Sequence, residues 1–135
     1  MPVKQLDDKS EFILTALSPL DGRYSEATAP LRQISSEYGL IRYRVKIELE
    51  WLKFLAGEST FRGLKNFSPS GLRALAQITD HFDLGDAKEI KDIEKSINHD
   101  VKAVEYFLRA KFTEDEELKK AISFIHFACT SEDIN

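Results

Sequence analysis

A chain of 135 residues, 42% of them hydrophobic, is long enough for one domain with a real core, since domains of this size bury roughly two-thirds of the surface of the unfolded chain. Its 19 basic and 23 acidic side chains leave a net charge of −4 with no dense run of Lys or Arg; a nucleic-acid duplex or an anionic membrane would be repelled, while a local arginine pocket for a small anion remains possible. The single cysteine, Cys129, allows no internal disulfide, and no stretch approaches the ~20 apolar residues that cross a bilayer, so a soluble cytoplasmic protein is expected.

In chain order, "FILTALSPLDGRYS" begins with a short apolar run and then a turn cluster of Pro19, Asp21 and Gly22. This predicts an extended arm over residues 1–24 that ends in an exposed turn, with Gly22 in a conformation other residues avoid. Residues 25–135 are expected to form a helical domain. Pro30 suits the first turn of a short helix capped by Thr28. Between Ser36 and Ala56, Ile41, Val45, Leu49, Leu52 and Ala56 recur at three- and four-residue steps, with Arg42, Lys46, Glu50 and Lys53 on the other side. That is an amphipathic helix. Ser68 and Pro69 read as cap and first residue of a second one, carrying Leu72, Leu75 and Ile78. Asp86 with Glu89 resembles a capping box, Asn98 a cap for the stripe Val101, Val104, Leu108 and Phe112, and Thr113 with Glu116 a further box, opening a helix over 113–128 whose solvated face turns into a buried one. The chain closes on "TSEDIN", hydroxyls followed by acids, which is how a helix begins.

Chemistry-bearing residues collect at three of these places. Arg23 and Tyr24 follow the glycine turn, a forked cationic donor beside a neutral one, which suits a phosphate and equally suits an ordinary surface turn. Asn98, His99 and Asp100 lie at a predicted helix start, where free amides favour an anion and His99 can donate or shuttle a proton; the simpler reading makes Asn98 a cap and His99 a solvated first-turn residue. Thr130 and Ser131 stand at the mouth of the last helix, as caps or as carboxylate donors. His126, in the apolar run "SFIHFA", fits a hydrogen-bonded core residue, its role left open; His81 suits a helix end, and Cys129 a small buried apolar residue. Neither the histidines nor the cysteine have the spacing of a metal site.

Together, "LTALSPLDGRYS", "SEYGLIRYRVKIELEWL", "INHDVKAVEYFL" and "FIHFACTSEDIN" resemble the N-terminal part of the adenylosuccinate lyase family, within the fumarase/aspartase superfamily. The resemblance covers nearly the whole chain from about residue 12, with its motifs in the family's order. It implies an all-α N-terminal domain of the fumarase/aspartase fold, preceded by the arm and lacking the central long-helix bundle. It also implies a β-elimination of fumarate from adenylosuccinate, and from the succinylated carboxamide ribotide of purine biosynthesis, with no cofactor or metal. Carried over by motif, Arg23 and Tyr24 would hold the phosphate. Asn98, His99 and Asp100 would line the nucleotide and succinyl pocket, His99 as a proton-network member, and Thr130 and Ser131 would contact the dicarboxylate. The family's catalytic histidine and loop serine come later than residue 135. The chain is therefore expected to be truncated at the start of the next helix and inactive alone, the full-length protein being a homotetramer whose sites draw on three subunits. Two alternatives stand beside this: a self-contained helical nucleotide-binding or regulatory module, and another lyase of the superfamily.

Overall fold

The structure, a computed structural model, describes residues 8–58 and 60–135. The chain divides into two compact units, Met1–Ser36 and Glu37–Asn135, each described here by itself. Every regular element among the described residues is a helix, as the resemblance implies.

The first unit departs from the expected extended arm. Asp8–Thr15 forms an α-helix, α1, because no glycine or proline interrupts the run before Pro19; residues 1–7 of the expected arm lie outside the described residues. Successive turns follow, with Gly22 N bonded to Ser18 O and Tyr24 N to Pro19 O. Gly22 is required for a different reason than expected. No glycine has a positive φ; instead, a Cβ at position 22 would lie 2.5 Å from the carbonyl oxygen of Ile13, so the turn rests directly on the end of α1. Pro30 does sit in the first turn of a short 3-10 helix, Ala29–Leu31, before α2, Arg32–Ser35. Thr28 occupies its cap position without capping: the hydroxyl donates backwards to the carbonyls of Leu20 and Tyr24.

The second unit is built on α3, Glu37–Gly57, and α6, Asp100–Phe112. All five residues of the predicted α3 stripe are buried, and on α6 Val101, Val104, Phe107, Leu108 and Phe112 are wholly buried. α4, Pro69–Asp80, starts as read: the Ser68 side chain accepts from Gly71 N, Pro69 is the first residue, and His81 follows the end of the helix. α5, Leu84–Ile97, uses a different box from the one expected. Asp83 is the cap, accepting from Gly85 N and Asp86 N, and Asp86 reaches back to Asp83 N; Asp86 is the inner member of the pair because the preceding aspartate reaches the free amides first. After α6 the expected α-helix over 113–128 is absent. Thr113 ends α6, and Asp115 accepts from Glu117 N and Leu118 N to start a 3-10 helix, Leu118–Phe124. The side chain of Asp115 thus competes with the helical ladder that its sequence pattern promised.

The core joins these elements through Leu49, Leu52, Leu75, Phe82, Ile90, Phe107 and Leu118. α3 also carries a second, outward stripe of Leu40, Tyr43, Ile47 and Phe54, each more than a third exposed, at the same three- and four-residue spacing as the buried one. A short final helix, α7, Ser131–Ile134, closes the chain and packs on α3.

Candidate functional site

The turn between α5 and α6 consists of two residues, Asn98 and His99. Asn98 ends α5 in the left-handed region, at φ 55° and ψ 40°, with its N–H on Glu94 O, a conformation asparagine tolerates better than most residues. It is therefore not the cap of α6, as the sequence suggested. His99, extended at φ −150°, takes that place, and its Nδ1 accepts from Lys102 N at 3.1 Å. An accepting Nδ1 requires the proton of the neutral ring on Nε2, so a half-exposed imidazole is held with its N–H donor free to face a ligand.

Asp100 is the first residue of α6. Its Oδ1 accepts from Val101 N, and its Oδ2 receives Arg44 Nη2 at 2.7 Å. Partial burial pulls the Asp100 carboxyl upward, but the Val101 amide and the Arg44 guanidinium outweigh it and hold it below the usual range. The same guanidinium, on a residue only 6% exposed, donates through Nε to Asn135 Oδ1 at 2.9 Å. One buried arginine on α3 thus brings together two of the segments singled out in the sequence, 98–100 and 130–135, which are separated by twenty-nine residues of chain.

Two further side chains of α3 hold the stretch leading into the second segment. Glu48, its side chain without exposure, meets His126 Nδ1 at 2.6 Å through Oε1 and accepts His126 N at 3.1 Å through Oε2. Trp51 Nε1 donates to Phe127 O at 2.8 Å. Positions 44, 48 and 51 share one face of a helix by the steps of four and three. Their grip matters because His126 and Ala128 both lie at positive φ, 61° and 59°, a region that costs residues with a Cβ about 1–2 kcal/mol each. Burial pushes the Glu48 carboxyl up, against the opposing hydrogen bond from His126. His126 is thus the hydrogen-bonded, largely buried residue its apolar surroundings suggested.

Thr130 occupies the cap position of α7, where its N and Oγ1 both donate to Asp133 Oδ2, at 2.6 and 2.9 Å, and the Thr130 amide is the main reason the Asp133 carboxyl lies below its usual range. Ser131 is the first residue of the helix and half-buried. Beside them Ile47, Trp51, Ala128, Cys129, Asp133 and Ile134 line a cleft of about 280 Å³. Burial, with Glu48 and Asp133 nearby, raises the Cys129 thiol, which keeps it protonated and a poor nucleophile. Within the first unit, Arg23 and Tyr24 are both exposed, the guanidinium carbon 4.6 Å from the phenol ring centre, a stacked pair that leaves the donor edge of the arginine open. No cluster of three or more metal-ligating side chains occurs among the described residues, and no helix among them is long and apolar enough to cross a membrane.

The residues missed in the sequence are Arg44, Glu48 and, as a hydrogen-bond donor, Trp51. Their signal was phase: Arg44 and Glu48 fall between Ile41, Val45, Leu49 and Leu52, on the apolar side of α3, and a charged residue there is buried with a partner.

The chain, helical in every regular element among its described residues, belongs to the family described as Lyase, whose pattern matches residues 22–135. Its relatives carry a narrower name. Over 122 residues it is 52% identical to adenylosuccinate lyase of Haemophilus influenzae and 50% identical to adenylosuccinate lyase of Escherichia coli K12. It is 45% identical to adenylosuccinate lyase of Legionella pneumophila strain Corby over the same length. Each match covers 90% of this chain and 27% of the relative, so the chain spans little more than a quarter of the length of these enzymes.

Proposed function

We propose that this chain supplies substrate-binding residues to an adenylosuccinate lyase, a cytoplasmic enzyme of purine biosynthesis that eliminates fumarate from adenylosuccinate to leave AMP and acts likewise on the succinylated carboxamide ribotide. The observation that carries this reading is the Arg44 fork. It ties the His99 turn and the Thr130–Ser131 segment to one buried cation, in a chain about half identical to enzymes of that name. In this reading Arg23 and Tyr24 bind the phosphate. Asn98, His99 and Asp100 line the nucleotide and succinyl pocket, and Thr130 and Ser131 contact the dicarboxylate. Elimination builds negative charge beside a carboxylate, and a wall of fixed neutral donors stabilises it without metal or cofactor.

The remaining catalytic groups belong to the parts of the enzyme beyond these residues and to neighbouring subunits of a homotetramer. The outward stripe of α3 is apolar surface of the kind such packing covers. The 135 residues alone then bind without turning over. Fumarate release is measured for the full-length protein and for this chain, with adenylosuccinate and argininosuccinate as substrates. Activity of the full-length protein on adenylosuccinate alone is expected. Turnover by the 135-residue chain at about 1 per second or more, or a preference for argininosuccinate, overturns the reading.

His99 separates structure from function within it. His99→Asn retains a capping side chain, so stability by urea titration is expected to stay within about 0.5 kcal/mol, whereas His99→Ala loses about 1 kcal/mol. Both variants remove the Nε2 donor, and both are expected to lower turnover of the full-length enzyme by roughly 10²-fold or more. Wild-type turnover in His99→Asn would remove His99 from the proton network.

A further inference from the structure

We infer that Arg44 is a positioning residue, whose forked guanidinium sets the spacing between the His99 turn and the Thr130–Ser131 segment. As a statement about catalysis it rests on the lyase reading above; as a statement about mechanical coupling it does not. The geometry is specific. Nη2 bonds Asp100, the residue after the His99 cap, and Nε bonds Asn135, the residue after α7. These two acceptors approach one planar group along two fixed directions, so neither segment can move without straining the other bond. The arginine itself is held on α3, a helix of 21 residues with Val45, Leu49 and Leu52 fully packed. With its side chain only 7% exposed, water cannot readily replace either partner, and a bond lost there is not regained.

The neighbouring anchors do not duplicate this. Glu48 and Trp51 hold His126 and Phe127, in the stretch that leads into the segment, and neither bonds to the His99 turn. Only Arg44, among the described residues, bonds to side chains of both. Lysine at this position would keep the charge and lose the second direction.

Amide hydrogen exchange of the full-length protein, read on peptides covering 98–102 and 130–135, tests the coupling without reference to activity. Arg44→Lys is expected to speed exchange in both peptides by about tenfold, the signature of a local opening made easier. Asn135→Ala, a milder change that removes one arm of the fork, is expected to speed exchange at 98–102 as well, although that turn lies elsewhere in the sequence. If either variant changes only the peptide nearest the substitution, or neither, the inference is wrong. In the lyase assay Arg44→Lys is expected to lower kcat/KM by roughly 10²-fold, mostly through kcat, since small misplacement of oriented groups costs that much. Unchanged kinetics in a folded Arg44→Lys protein would also overturn the positioning role. If the wild type releases no fumarate while exchange responds at both segments, the lyase reading falls and the coupling stands.

Discussion

Phe107→Ala is expected to destabilise the helical unit by about 3–5 kcal/mol, the usual cost of removing a large aromatic side chain from a core. Phe107 has no exposed surface and lies on α6, the helix whose residues are buried against α3, α5 and the 3-10 helix. Its ring meets Phe82 edge to face, with centres 6.1 Å apart and planes at 84°, and Lys111 Nζ lies 5.0 Å from the ring centre. Truncation therefore removes an aromatic pair and a cation contact in addition to buried area. Its helix packs against three others, so the surroundings cannot all collapse into the space. Against a total stability of about 5–15 kcal/mol for a domain of this kind, such a loss unfolds a large fraction of the protein on modest heating. Phe107→Leu, which keeps most of the volume, is expected to cost less than about 1.5 kcal/mol. Urea denaturation of the three proteins measures both values, and an alanine variant within about 0.5 kcal/mol of wild type, as at a surface site, would show that Phe107 is not central to the core.

Glu48→Ala is expected to cost about 3 kcal/mol at neutral pH, in the range for breaking a buried pair by removing one partner. The loss combines two effects. His126 N and Nδ1 lose their partner in a place with little water, and the left-handed backbone at His126 loses the contact that holds it. Glu48→Gln keeps an acceptor for the His126 amide and is expected to cost about 1 kcal/mol, the net value of one hydrogen bond.

The two variants also differ from wild type in pH dependence. Burial raises the Glu48 carboxyl in the folded protein above its ordinary value of 4.5, with the nearby Glu105 adding to the shift. A group raised on folding binds its proton more tightly in the native state. Its contribution is therefore fully present below pH 4.5 and declines as pH rises through the folded value. Glutamine does not titrate, so the gap between wild type and Glu48→Gln should narrow as pH rises from about 4 to 7. Denaturation curves over this range check the sign; a gap that widens with pH would mean that the His126 bond, and not burial, governs Glu48.

Helix identity in this chain follows from local chemistry. The α3 stripe, the Ser68–Pro69 start of α4 and the α6 stripe were all legible, because three- and four-residue repetition of apolar side chains needs no knowledge of the partner surface. The resemblance likewise rested on short motifs read in order, and the Lyase match over 22–135 agrees with it. What local reading missed were contests between neighbours for the same amides. Asp83 displaced Asp86 as a cap, His99 displaced Asn98, and Asp115 turned an expected α-helix into a 3-10 helix. In each case both candidates had suitable oxygen or nitrogen acceptors, and an offset of one to three residues along the chain selected between them.

The side-chain pattern alone thus specifies that the chain is helical and which faces of its main helices turn inward. The pairing of Arg44 with Asp100 and Asn135, of Glu48 with His126 and of Gly22 with Ile13 came only with three-dimensional packing. A charge on the apolar side of a helix announces that it must find a partner; which partner, up to ninety-one positions away, depends on how the helices stack, and that is a property of the whole core.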